Sequence, residues 1–352
     1  MPGVDQIRTL LPFRNFPSTL TTLPHFHALF RTNLSSMVEV IEIDPSKRDD
    51  LTPSEADMLH IMNEALTSEV DPVAAPVSLA NSLREYPSSQ GSESLNIANT
   101  NLWYLWMILL EVVLNVPVDH PWHDILTATV DELRREGGTV AASNLKLKWE
   151  DLPFLRMYLF DKWTGELPAP ILSRHSHIKE DPTELDDYTP EDLEAWKQFN
   201  SFASRLLSPD FTPWLILPYW EIAAGLETVV EDAAVFECEI WAATEWLIRC
   251  GSIIFRDMSS KEELDSETSL SMKPGPLCAD IPPLSVQRWD FWHSRLVEVI
   301  ENESSNKAAA GGVPLPLSRL NQALAVMEKA RLDVELEGQN LKDQDSSDSV
   351  DS

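Results

Sequence analysis

The stretch WAATEWLIRCGSIIF, residues 241–255, is apolar around almost the whole circumference of a helix. Such a helix has no face suited to solvent, and it therefore lies at the centre of a domain. Its narrow polar strip holds Glu245 and Arg249, whose spacing of four residues lets the side chains pair. Left unpaired, Glu245 would be a candidate general base with a raised pKa. We favour the pair, and the stretch predicts the central helix of an all-α domain.

Further helices are predicted around this one, because Thr-Pro pairs supply a capping hydroxyl and a residue that needs no N–H partner. Thr52 and Thr189 each begin such a box. A second helix is expected between Trp214 and the central stretch. The other predicted helices are about Pro53–Glu69, Pro121–Arg135, Pro190–Leu206, Leu284–Glu301 and Leu317–Leu336. The segments between them, Thr164–Tyr188 and Asp257–Pro283 among them, read as loops.

Length and composition favour one multi-helix, bundle-like domain. The chain has 352 residues, 43% of them hydrophobic, with 11 glycines and 25 prolines, and its long apolar runs are not β-branched. No fixed-period repeat is found, so a solenoid is not expected. We predict an all-helical domain over residues 51–337, a poorly ordered arm over residues 1–50 and a disordered acidic tail over residues 338–352.

The charge of −30 excludes classes of partner. A strongly negative surface repels phosphate backbones, so nucleic acid is not expected as a partner. The most apolar run, Leu102–Leu110, is far shorter than the ~20 residues of a membrane span. The odd number of cysteines, three, argues against a secreted disulfide framework and favours the cytoplasm or nucleus. Residues 6–38 contain no acid and three arginines, so a mitochondrial targeting peptide stays open beside a disordered arm.

Catalytic and metal-binding motifs are missing from the sequence. There is no G-x-S-x-G elbow, phosphate-binding loop, H-E-x-x-H pair or dinucleotide fingerprint. His120, His123 and Asp124 have the side-chain types of a metal site, but Asp119, His120 and Pro121 are also a natural cap for the next helix, and we favour the cap. His175 and His177 lack a third ligand at suitable spacing. We therefore assign no catalytic, cofactor-binding or metal-binding residue and do not expect an enzyme.

The helix near residues 284–301 carries the candidate site. Arg288 and Arg295 share one flank with Phe291, beside a core stripe of Trp and Leu. Two arginines and an aromatic ring on one face can bind an anion or an acidic helix. The same arginines could instead brace the fold by pairing with Glu227 or Glu245 on another helix.

Taken in order, the aromatic signatures resemble a largely fungal family of helical proteins filed as a domain of unknown function, DUF3632. The resemblance covers about residues 99–336. It is carried by Asp119, His120, Pro121 and Asp124; Trp149, Leu152 and Pro153; Trp196, Phe199, Asn200, Phe202, Ala203, Arg205 and Leu206; Leu226 and Glu227; Ala234, Trp241, Trp246 and Gly251; and Arg288, Trp289, Phe291, Trp292 and Arg295. The resemblance implies an all-helical domain and transfers no activity or catalytic residue.

Two classes of function remain. We expect a non-enzymatic intracellular protein that binds another protein or acts as a scaffold. The alternative is a small-molecule binder or enzyme whose aromatic-lined pocket lies between helices. A closed apolar pocket with converging polar groups would favour the second class, and a filled core with an exposed apolar patch would favour the first.

Overall fold

Both predicted capping boxes begin helices. In the computed structural model, Thr52 and Glu55 exchange side-chain-to-backbone hydrogen bonds, and Thr189 and Asp192 do the same. The structure describes residues 51–67, 73–89, 97–140, 146–163, 189–211, 215–260, 263–305 and 315–348. Predictions for residues 1–50, including the targeting peptide, and for His175 and His177 lie outside these ranges.

The described residues form eleven α-helices. They are α1 (Pro53–Thr67), α2 (Ala75–Ser89), α3 (Ile97–Val113), α4 (Trp122–Glu136), α5 (Leu155–Asp161), α6 (Pro190–Leu206), α7 (Ile216–Leu226), α8 (Ala233–Met258), α9 (Ser266–Ser271), α10 (Val286–Ser305) and α11 (Leu317–Asp348). Short 3-10 turns cover Trp149–Asp151 and Pro276–Cys278. Within the described ranges, β-structure is confined to two isolated bridges. The all-α prediction is confirmed.

Helix α8 is the centre of the second half of the chain, as its all-round apolarity predicts. It packs on α6, α7, α10 and α11. Gly225 of α7 permits the closest of these approaches, because a Cβ there would lie 2.6 Å from the carbonyl oxygen of Glu239 on α8. In the first half, α2 packs on α1, α3 and α4, and the two halves meet where α4 and α3 contact α6.

Two boundaries differ from the sequence-based ones. The described part of α1 reaches Thr67, and its predicted end near Glu69 lies outside the described ranges. Helix α11 continues to Asp348, so the predicted boundary at residue 338 falls inside it. The prediction of a plain loop over Asp257–Pro283 is wrong: α8 runs on to Met258, and α9 and a 3-10 turn follow. The sequence misled here because polar and Pro/Gly-rich composition hides helices of only one or two turns.

Across the described ranges, every helix is too short or too polar to span a membrane.

Candidate functional site

Glu227 and Arg288, both named from the sequence, meet in the interior. Glu227 follows the last residue of α7, and Arg288 lies in the first turn of α10. Arg288 donates from Nε to Glu227 Oε1 at 2.6 Å and from Nη2 to Oε2 at 3.0 Å. This two-pronged contact is the strongest geometry available to an arginine and a carboxylate. Neither side chain is more than 1% exposed.

We call this pair and its further partners the Glu227 node. The remaining hydrogen-bond donors and acceptors of the two side chains also have partners. Trp292 donates its indole N–H to Glu227 Oε1 at 2.6 Å. The third nitrogen of Arg288 donates to the carbonyl oxygens of Met272, at 2.7 Å, and Pro283, at 2.8 Å. The node has the hydrogen-bond saturation that a buried ion pair needs to offset its desolvation.

Gly275 completes the hydrogen bonds of the node. It lies in the segment that the sequence composition assigned to a loop. Its backbone N–H donates to Glu227 Oε2 at 2.5 Å. A Cβ at this position would lie 2.7 Å from Glu227 Cβ and 2.8 Å from its carbonyl oxygen, so only glycine fits. Sequence reasoning missed Gly275, Met272 and Pro283, because they act through backbone groups. The isolated glycine was the one signal that could have marked a close backbone approach.

The other two residues of the predicted face do not join the node. Phe291 is half-buried against the core. Arg295 pairs with Glu298 on its own helix at 2.8 Å, and the pair is partly exposed. The sequence placed Arg288 and Arg295 on one flank of the helix. In the structure Arg288 is buried in the Glu227 node, whereas Arg295 is partly exposed.

Glu245 lies at a second cluster, which we call the Glu245 cluster. Arg249 and Arg319 contact its two carboxylate oxygens, Arg249 from one turn along α8 and Arg319 from α11. Arg205 of α6 adds a contact at 3.3 Å, and the hydroxyl of Ser201 donates at 3.1 Å. The predicted Glu245–Arg249 pair is present, within a cluster of three arginines.

The electrostatics of Glu245 exclude a general base of raised pKa. Burial raises the pKa of its carboxyl, but attraction to Arg249 and Arg319 outweighs that effect, and the pKa falls below the usual value. A carboxylate held by three guanidinium groups stays ionised. The chemistry of this cluster is therefore that of fixed charge, not of proton transfer.

Glu221 of α7 is buried, and within the described residues no cationic side chain contacts its carboxylate. Trp163 donates its indole N–H to Oε1 at 3.0 Å, and Oε2 has no hydrogen-bond partner among the described residues. Burial raises the pKa of Glu221 to about 8, against the smaller, opposite effects of the nearby donors of Trp163, Trp196 and Asn200. The surroundings are aromatic, since Trp163 packs edge-on to Trp196 at 5.3 Å and tilted against Phe199 at 4.9 Å. Sequence reasoning gave no role to Glu221.

His120 precedes α4 and His123 lies in its first turn, and both are used structurally. His120 Nδ1 accepts the backbone N–H of Trp122, the first residue of α4, at 3.2 Å, whereas Pro121 at the N-cap makes no side-chain cap. His123 is fully buried with Nε2 at 2.9 Å from the carbonyl oxygen of Val116, and burial lowers its pKa to about 4. Among the residues that the structure describes, no group of three or more His, Cys, Asp and Glu side chains could hold a metal ion.

A groove of about 390 Å³ lies between α10 and α11. Its floor is apolar, with Trp289 and Met327 buried. Asp290 and Arg331 form an ion pair across it, and His293 Nε2 lies 3.5 Å from Glu328 Oε1. Leu332 lines one end, and Leu336 continues the same face of α11 one turn further. Their exposed fractions are 57% and 56%, so two leucines face solvent at this end of the groove.

Comparison with known proteins identifies a family without an assigned activity. A family model described as a protein of unknown function, DUF3632, matches residues 106–296. The matched range includes the Glu227 node, the Glu245 cluster apart from Arg319, Glu221 and the α10 side of the groove. No curated protein and no solved structure matches the chain.

Proposed function

The chain belongs to the DUF3632 family of proteins of unknown function, and we propose that it is a binding protein whose groove between α10 and α11 accepts an amphipathic helix of another protein. The observation that supports this proposal is the groove itself: an apolar floor bordered by charged side chains and continued by exposed leucines. A helix in a groove buries its apolar face in this kind of surface.

The dimensions suit a short helix. From Met327 to Leu336 the groove and its extension follow ten residues of α11, and the first and last are about 14 Å apart along the helix. A partner of about three turns would cover this length. Two of its apolar residues, four positions apart, would pack against Leu332 and Leu336, which are themselves four positions apart.

The charge at the groove favours a basic partner. Asp290 and Glu328 border the groove, and α11 continues with Asp333, Glu335 and Glu337. Arg331, Lys329 and Arg256, which pairs with Glu337, offset only part of this charge, in a chain whose net charge is −30. Opposite charge on the partner speeds association and disfavours acidic competitors. We therefore propose a helix with lysine or arginine beside its apolar stripe.

The alternative, a small-molecule site within the aromatic interior, has less support. Such a site would need space between the tryptophans. Trp163 instead lies 5.3 Å from Trp196 and 6.1 Å from Trp246, ring centre to ring centre, and Phe199 packs on it at 4.9 Å. Rings at these separations fill the volume that a ligand would occupy.

We also propose that Arg288 and Glu227 brace the fold. Two observations support this: the pair is buried, and Trp292 and Gly275 use the remaining carboxylate lone pairs. A reducing compartment, the cytoplasm or nucleus, remains our proposed location, since Cys238, Cys250 and Cys278 are unpaired and buried.

Selection from a displayed library of helical peptides, with the full chain as bait, tests the groove. We expect the enriched peptides to carry an apolar pair at i, i+4 with flanking lysine or arginine. Leu332→Asp should weaken their binding about tenfold or more, because it places a charge in the apolar contact.

Leu270→Asp is the matched control, since Leu270 of α9 is 73% exposed and is not part of the groove. It should leave peptide binding unchanged. Peptides that bind the parent, Leu332→Asp and Leu270→Asp chains equally would show that the groove is not the binding surface, as would a selection with no enrichment.

A further inference from the structure

The Glu245 cluster has hydrogen-bond donors that the protein does not use. Arg249 reaches Glu245 through Nε alone, which leaves both of its terminal nitrogens without a partner in the described part of the chain. Arg319 uses Nε and Nη2, and its Nη1 is likewise unused there. The side chains of Arg249 and Arg319 are 34% and 19% exposed. These donors therefore lie at the edge of the cluster, where a solute can reach them.

The cluster also has more positive than negative charge. Three arginines face the carboxylate of Glu245 and that of Asp124, which accepts from Arg205 Nε at 3.1 Å. Burial lowers the pKa of Arg205, and repulsion from Arg249 lowers it further. A single carboxylate can be satisfied by one guanidinium group and a few N–H donors, as Glu227 is. The extra arginines at Glu245 thus exceed what neutralisation requires.

Two of the arginines are held in place before any ligand arrives. Arg319 lies 4.1 Å from the ring centre of Trp241, and its Nε donates to the Thr244 hydroxyl at 3.0 Å. Arg205 donates to the carbonyl oxygens of Ser201, at 2.9 Å, and Val118, at 3.2 Å. Fixed guanidinium groups lose little conformational freedom on binding, which favours affinity for an anion.

We propose that Arg249 and Arg319, supported by Arg205, form a binding site for a small oxyanion of the phosphate type. The anion accepts hydrogen bonds from the unused terminal nitrogens of Arg249 and Arg319 at the exposed edge of the cluster, and Glu245 stays buried as their spacer. Planar guanidinium donors match the geometry of phosphate oxygens. The ligand is either free phosphate or the phosphate group of a small phosphomonoester.

Calorimetric titration of the full chain with inorganic phosphate, in sodium chloride buffer of constant ionic strength, tests the site. We expect saturable binding to the parent chain. Arg249→Gln should weaken it about tenfold, the factor that corresponds to loss of a charge-assisted hydrogen bond. Arg249→Lys keeps the charge but loses the fork of donors, so its affinity should lie between those of the parent and Arg249→Gln.

Arg256→Gln is the matched control. Arg256 lies on α8, two turns beyond Arg249, has an exposed fraction of 37%, and pairs with Glu337 away from the cluster. Its replacement should leave phosphate affinity unchanged. Absence of saturable binding to the parent would overturn the proposal, and so would an equal loss in Arg249→Gln and Arg256→Gln.

Titration with phenyl phosphate separates the two sources of the anion. Tighter binding of phenyl phosphate than of inorganic phosphate, lost in Arg249→Gln, assigns the site to phosphomonoesters. Equal or weaker binding, with the same loss in the variant, assigns it to free phosphate. Binding of either ligand that is unaffected by Arg249→Gln would contradict the site.

Discussion

Glu227 and Glu245 are two buried carboxylates that arginines surround in opposite ways. Glu227 has one arginine, Arg288, and the contact is sealed by Trp292 and Gly275. Glu245 has three arginines, of which Arg249 is one-third exposed. The first arrangement uses its donors within the fold, whereas the second leaves donors facing outward. We therefore propose that the burial and hydrogen-bond saturation of the carboxylate, not the presence of arginine, distinguish a brace from a binding surface.

Loss of the brace should have the largest effect on stability. Arg288→Gln leaves the Glu227 carboxylate buried without a cation, and we expect a loss of about 3–5 kcal/mol in the free energy of unfolding. Denaturant unfolding measures it. Arg295→Gln, on the same helix, is the control. Arg295 forms a partly exposed pair with Glu298 of its own helix, so its replacement should stay within about 0.5 kcal/mol of the parent. If the unfolding curves of Arg288→Gln and the parent overlay, the Glu227–Arg288 pair does not brace the fold.

Glu221 sharpens the comparison, because it is buried and no arginine of the described part of the chain contacts it. Its folded pKa of about 8 exceeds the unfolded value of 4.5, so its contribution to stability is present below pH 4.5 and is lost as the pH rises toward 8. Glu221→Gln removes this loss, and we expect it to stabilise the chain by about 2–3 kcal/mol at pH 8. At pH 4.5 the two chains should be nearly equal in stability.

Glu245 should show the opposite sign, since its pKa is lowered in the folded state and its contribution is lost as the pH falls. Thermal unfolding of the parent, Glu221→Gln and Glu245→Gln between pH 4.5 and 8 measures both trends. A destabilising Glu221→Gln at pH 8 would show that its carboxylate has a cationic partner.

The seal over the Glu227 node should be sensitive to one methyl group. Gly275→Ala places a Cβ against Glu227, whose backbone cannot move without disturbing the end of α7. We expect a loss of about 1–3 kcal/mol, the usual range for overpacking. A Gly275→Ala chain as stable as the parent would mean that the 3-10 segment does not seal the node.

Arg249→Gln should have the smallest effect on folding. Glu245 keeps Arg205 and Arg319 in this variant, and Arg249 is partly exposed, so we expect a loss of no more than about 1 kcal/mol. Denaturant unfolding of Arg249→Gln and Arg288→Gln under the same conditions compares their free energies of unfolding. A loss as large as that of Arg288→Gln would make the Glu245 cluster a second brace and not an open site.

The sequence predicted what depends on neighbours along the chain. The capping boxes at Thr52 and Thr189 follow from residues three positions apart, and the Glu245–Arg249 pair from residues four apart. The central position of α8 follows from its all-round apolarity. Local chemistry of this kind is visible in one dimension.

Contacts between distant segments could be named only as alternatives. Glu227 and Arg288 are 61 residues apart, and Arg319 is 74 residues from Glu245. Nothing in the sequence indicated which glutamate Arg288 would meet. The backbone donor of Gly275 left no side-chain pattern at all, and its segment was assigned to a loop. Glu221 was missed because its burial depends on tryptophans from two other segments.

The measurement closest to the central claim is a pair of double-mutant cycles in denaturant unfolding. One cycle combines Glu227→Gln with Arg288→Gln, and the other combines Glu245→Gln with Arg249→Gln. We predict a coupling energy of about 2–3 kcal/mol for the sealed pair and less than about 1 kcal/mol for the open pair, where two further arginines remain. Equal coupling in the two cycles would contradict the distinction between brace and binding surface.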